Sequence, residues 1–164
     1  MRSAPIESDY PVEKAALYER LHREMQALTV GERDLIANAA NCSALLFQAL
    51  PNVNWVGFYL SKGRDLVLGP FQGKPACVRI ALGRGVCGAA ADRRQTIVVP
   101  DVHAFPGHIT CDGASNSEIV VPLIKSQRVV GVLDIDSPNL GRFDNDDATG
   151  LQTIVDVLLA ASDF

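Results

Sequence analysis

Two runs of branched and aliphatic residues, Ile119 to Ile124 and Val129 to Asp136, are separated only by the tetrapeptide KSQR. A link this short cannot carry a parallel crossover, so the runs pair as an antiparallel hairpin, which fixes one end of a sheet. Asp134 and Asp136 alternate with Leu133 and Ile135, so both project from one strand face, the face that also carries Val130 and Val132. Carboxylates on an apolar face are costly to bury unless they meet a cation or share a proton, which points to a ligand pocket. The other reading is a solvated strand end that caps the turn at Ser137-Pro138. Glu118 opens the partner strand. With a two-residue turn at Ser126-Gln127 it falls opposite Ile135, on the wrong face. One extra residue at Pro122, where a bulge suits a residue without an N–H, would bring it opposite Asp134 and make three carboxylates converge.

The rest of the chain predicts an α+β fold. Leu17, Leu21, Met25 and Leu28 recur at helical spacing, and a second helix carries Leu35, Ala39, Cys42, Leu46 and Leu50 on one face until Pro51 stops it. The period then changes. Asn54 to Leu60 reads as a strand, the turn-prone SKGRD leads to a second at Asp65 to Leu68, and another covers Ala76 to Leu82. A short helix is expected near Gly85 and a brief strand at Thr96 to Val99. Pro100 to Ser117 has no period, and aperiodic stretches this long usually carry function. A last helix begins near Asp144, with acidic residues where the helix dipole favours them. Runs of helix, then strand, then helix predict a mostly antiparallel sheet flanked by helices, built as one domain over residues 1–164 with a flexible end at Met1 to Asp9.

Fifteen Lys+Arg against nineteen Asp+Glu leave a net charge of −4, too little basic surface to neutralise phosphates, so nucleic acid is excluded as a partner. The apolar runs are too short to span a membrane, and the N-terminus lacks a secretory signal, so the expected location is the cytoplasm, with Cys42, Cys77, Cys87 and Cys111 synthesised as thiols. There is no C-x-x-C pair and no close cysteine-histidine spacing, so the spacing predicts no metal site. Cys42 reads as core packing. Cys87 in GVCG and Cys111 in HITCDG lie in glycine-bearing segments where a thiol can be reached, although burial as small apolar residues is the competing reading. Trp55 and Tyr59 share a strand face, as a pocket wall or as core. His103 and His108 fall in the aperiodic stretch as weaker candidates for a base or ligand. GRGVCG lacks the spacing of a phosphate loop.

In order along the chain, NWVGFYL, LGPFQGKPAC, GVCG, VPDVHAFPGHITCD, SNSEIVVPL and GVLDIDSP resemble the free methionine-(R)-sulfoxide reductases, single-domain members of the GAF fold. The resemblance spans about Trp55 to Pro138, and three cysteines in family contexts make it specific. It implies a GAF-like antiparallel sheet flanked by helices, no cofactor, and reduction of free methionine-R-sulfoxide with thioredoxin as electron donor. It implies Cys111 as nucleophile and Cys77 as resolving thiol, with Cys87 the competing candidate. It also implies Glu118, Asp134 and Asp136 as acidic substrate-binding positions, with Trp55 and Tyr59 near the substrate methyl group; because neighbouring acids do not all ionise, one of the three, Asp136 among them, is expected to supply a proton while another binds the ammonium. GAF helices commonly pair into homodimers. Against turnover stands a ligand-binding GAF sensor or a thiol redox switch, but 164 residues leave no effector attached, and a sensor has no need of three cysteines.

Overall fold

In the computed structural model, which describes residues 13–164, the spacing of Leu17, Leu21 and Met25 becomes helix α1 (Lys14–Leu28), and these residues are buried together with Tyr18. Asp34 caps α2 (Leu35–Ala49) by accepting from the Ala37 N–H, and Pro51 follows its end. The strands are β1 (Trp55–Lys62), β2 (Asp65–Gly73), β3 (Arg79–Ala81), β4 (Ile97–Val99), β5 (Ser117–Lys125) and β6 (Arg128–Ser137). Helix α3 (Gly85–Arg93) lies between β3 and β4, and α4 (Asn145–Ala161) closes the chain. The flexible end expected at Met1 to Asp9 lies outside the described residues.

The six strands form one antiparallel sheet in the order β3-β2-β1-β6-β5-β4. On one face, α1, α2 and α4 pack over Val56, Phe58, Ile119, Val121, Leu133 and Ile135, with Cys42 buried among them as core. The opposite face, formed by the alternate residues of the same strands, is covered by α3 and by the loops around it. The face with three helices supplies most of the apolar burial, which leaves the other free to hold polar groups.

Asp147 ties the helical layer together. Fully buried, it accepts from Tyr18 Oη and Lys14 Nζ, both at 2.7 Å, and completes a capping box with Asp144 at the start of α4. Asp146 and Asp147 stand in the first turn of α4, where the helix dipole favours negative charge, and Asp147 adds an α1–α4 link.

The predicted hairpin is present, and Ser126 and Gln127 form its turn at φ 50° and 62°, the left-handed conformation that a tight hairpin needs. Its register needs a correction. Ile124 pairs with Val129 but Leu123 pairs with Gly131, so the extra residue is Val130 on β6 and not a residue at Pro122 on β5. Glu118 therefore faces Asp136 and not Asp134. Either bulge restores the same parity, so the three acids still share a face. Pro122 lies past the end of β4, whose pairing stops at Ile97 with Val120, and so meets no third strand there. Gly131 is required beside the bulge, because a Cβ there would lie 2.4 Å from the Tyr59 carbonyl oxygen.

Candidate active site

Register sets the site. Asp136 lies between Trp55 on β1 and Glu118 on β5, and Asp134 one pleat along between Gly57 and Val120. Gly57 leaves the space that the indole occupies: a Cβ there would come within 2.6 Å of the Trp55 ring. The ring thus lies along the strand, stacked against Tyr59 at 6.0 Å and Phe71 at 5.3 Å between centroids. Trp55 Nε1 donates to the Lys74 carbonyl at 3.1 Å and Tyr59 Oη to the Cys77 carbonyl at 2.9 Å. Both aromatics therefore wall the recess and fasten the segment that carries Cys77, so the pocket-wall reading and the buried reading of these residues are both correct.

The recess, a cavity of about 40 Å³, lies between the sheet, α3 and the segment from His108 to Ser115. At its base Glu118 and Asp134 are buried at 5% and 7% exposure, and Cys87 from α3 at 4%. Cys87 Sγ lies 4.0 Å from Glu118 Oε1, and His108 Nε2 lies 3.5 Å from Glu118 Oε2. Asp134 Oδ1 is buried with no hydrogen-bond partner. An orphaned carboxylate oxygen lining a recess is costly unless a ligand meets it.

The electrostatics follow from that burial. Burial, reinforced by the Asp136 charge, pushes the Glu118 carboxyl up to about 8. Burial and the neighbouring Glu118 hold Asp134 well above the usual carboxylate range, and burial with Asp134 and Asp112 does the same for Asp136. The Cys87 thiol is raised by burial and by Asp134, while burial lowers His108. Near neutral pH the cluster keeps protons instead of three negative charges. A carboxylic acid held protonated there can donate a proton or a hydrogen bond.

At the mouth Cys77 and Cys111 are joined by a disulfide, with Cα atoms 5.6 Å apart, while Cys42 and Cys87 are free. Cys111 is exposed and Cys77 partly so, which leaves the bond open to a reductant.

A family model for the GAF domain matches residues 22–161. The chain belongs to the GAF domain family. Within this family it is 52% identical to the free methionine-R-sulfoxide reductase of Escherichia coli, over 92% of this chain and 93% of that one. The crystallographic free methionine-R-sulfoxide reductase of Neisseria meningitidis, solved in complex with its substrate, shares 44% identity at TM-score 0.88, covering 98% of this chain and 95% of that chain. The reduced fRMsr of Staphylococcus aureus shares 50% identity at TM-score 0.86, covering 88% and 94%. The chain therefore belongs among the free methionine-R-sulfoxide reductases of the GAF family.

In this GAF domain every residue singled out for the site lines one recess except Cys77, which flanks it through the disulfide, and His103. His103 lies elsewhere, its Nε2 3.0 Å from Asn116 Oδ1. The sequence reading missed Arg84, Ile109 and Ser115 in the lining. Arg84 directly precedes α3, whose first turn has no side-chain cap, so an arginine and free helix N–H groups meet beside the recess. The one available signal was the placement of Arg84 before the expected helix start.

Proposed function

We propose that this protein reduces free L-methionine-(R)-sulfoxide in the cytoplasm, as a single domain over residues 1–164. The observation that carries the reading is the orphaned Asp134 Oδ1 beside Glu118 and Asp136, at the base of a recess whose mouth holds the Cys77–Cys111 disulfide. A free amino acid offers an ammonium for ionised carboxylates and a sulfoxide oxygen for a protonated one. Arg84 and the start of α3 suit its carboxylate. Trp55 and Tyr59 suit the methyl group.

In the reduced enzyme the Cys111 sulfur attacks the sulfoxide sulfur while the sulfoxide oxygen takes a proton from the acid cluster, with Asp136 as donor. Oxygen passes to Cys111 as the S–O bond of the substrate breaks. Methionine leaves, reduced by two electrons, and Cys111 becomes a sulfenic acid. The Cys77 thiol then condenses with it, releasing water and forming the disulfide. The observed Cys77–Cys111 bond supports Cys77 over Cys87 as resolving thiol, and Cys87 is buried under the acids with its thiol raised. A dithiol donor of the thioredoxin type returns both cysteines to thiols by exchange.

The test is NADPH consumption with thioredoxin, thioredoxin reductase and free methionine sulfoxide of each configuration. Turnover of the R epimer is expected, abolished in Cys111→Ser and within a few fold of wild type in Cys42→Ser. Near-normal rates in Cys111→Ser would remove the nucleophile assignment, and binding of the sulfoxide without turnover would favour the sensor reading.

A further inference from the structure

Cys87 on α3, Glu118 on β5 and Asp134 on β6 each offer one ligand atom, and the three atoms lie within 4.8 Å of one another. All three side chains are more than nine-tenths buried, and the Asp134 oxygen without a hydrogen-bond partner lines the same recess. We propose that these three residues form a binding site for a divalent transition cation of the zinc class, a role beyond the proposed reaction. One thiolate with two carboxylates is a donor set that zinc and cobalt accept, with water from the recess in the fourth position, whereas magnesium and calcium disfavour the sulfur. His108 meets the other oxygen of Glu118 at 3.5 Å, where it steadies the carboxylate from outside. The ligands lie at positions 87, 118 and 134, far apart along the chain, which is why spacing predicts no metal site. A cation there fills the acidic end of the recess and closes it to any cationic ligand.

The disulfide form of the protein isolates the site. With Cys77 and Cys111 bonded, the remaining thiols are Cys42, sealed in the opposite core, and Cys87.

Cobalt(II) titrated into the oxidised protein is expected to give a thiolate-to-cobalt charge-transfer band in the near ultraviolet and the visible bands of a four-coordinate ion. Saturation should come at about one cobalt per chain, and zinc should bleach the bands. Cys87→Ser should abolish the charge-transfer band and Cys42→Ser should leave it unchanged. Glu118→Gln and Asp134→Asn should each keep the band but weaken binding about tenfold or more. No charge-transfer band in the oxidised wild type, or a band that survives in Cys87→Ser, overturns the proposal. Should Cys87→Ser fail to fold, unchanged cobalt affinity in both carboxylate variants overturns it equally. Sulfoxide turnover is not read here, so the two proposals fail independently.

Discussion

Asp136 and Glu118 face each other across two strands, yet their surroundings give them different work. Asp136 is partly exposed to the recess beside Trp55, whereas Glu118 is buried between Cys87 and His108. A proton donor must reach the sulfoxide oxygen as the S–O bond breaks, and Asp136 has the access. Asp136→Asn is therefore expected to lower kcat by about 10²-fold, the usual scale for a lost general acid, with substrate affinity changed far less. Glu118→Gln should mainly raise KM, since the neutral amide keeps the shape but cannot ionise to meet the ammonium when the substrate binds. Steady-state kinetics of the two variants in the coupled assay check both, and equal losses in kcat for the two would reverse the division of labour. Trp55 is the only tryptophan in the chain, so its fluorescence reports sulfoxide binding separately from turnover.

Among the elements, the strands were legible where their period was regular and illegible where a bulge or a proline broke it. The three long helices and the hairpin stand where their apolar spacing puts them. The sequence ends β2 at Leu68, where Gly69-Pro70 reads as a break, yet the strand runs to Gly73 through a register shift opposite Gly57 and Tyr59. Of the strand expected over Ala76 to Leu82, only Arg79–Ala81 forms β3. Cys77 thus lies in a connecting segment pinned by Trp55 and Tyr59, where it can reach Cys111. The acid triad was legible because parity survives a bulge on either strand, but which aspartate faces Glu118 was not, because the bulged strand carries no sequence mark stronger than Val130-Gly131. The same close packing makes Gly57 testable. In Gly57→Ala the new methyl carbon would stand 2.4 Å from Phe71 Cβ and 2.6 Å from the Trp55 ring, so the stacked pair that walls the recess must shift. Expected are a loss of about 1–3 kcal/mol in stability, shifted Trp55 emission and a KM raised by about tenfold. Unchanged emission with normal KM would show that the indole does not shape the recess.

At the scale of the whole molecule, the two faces of the sheet oppose each other energetically. One is a continuous apolar core under three helices, while the other buries Glu118 and Asp134 with the half-buried Asp136 beside them. The resulting pH dependence has a definite sign. A carboxyl whose pKa is raised by folding contributes stability that is fully present below its unfolded value and is lost as pH rises through the folded value. For Glu118 that window runs from its ordinary value of 4.5 to about 8, and the raised Asp134 and Asp136 act in the same direction. The exposed Asp144 and Asp163, paired with Lys14 and Arg33, are shifted downward and lose their contribution only as pH falls below the ordinary carboxylate range. His108, lowered by burial, loses its contribution as pH falls below 6.5, outside a comparison made from pH 6.5 to 9. Over that interval the disulfide form of the wild type should lose stability as the acids ionise. Glu118→Gln, with a neutral isostere in the same place, should lose less and be the more stable protein at pH 9, by on the order of 3 kcal/mol. Thermal melts of both proteins across the interval measure the difference, and parallel curves would mean that Glu118 does not hold its proton in the folded state. The substitution expected to raise KM is therefore also expected to stabilise the fold, because the carboxyl suited to the substrate ammonium is costly to bury while the recess is empty.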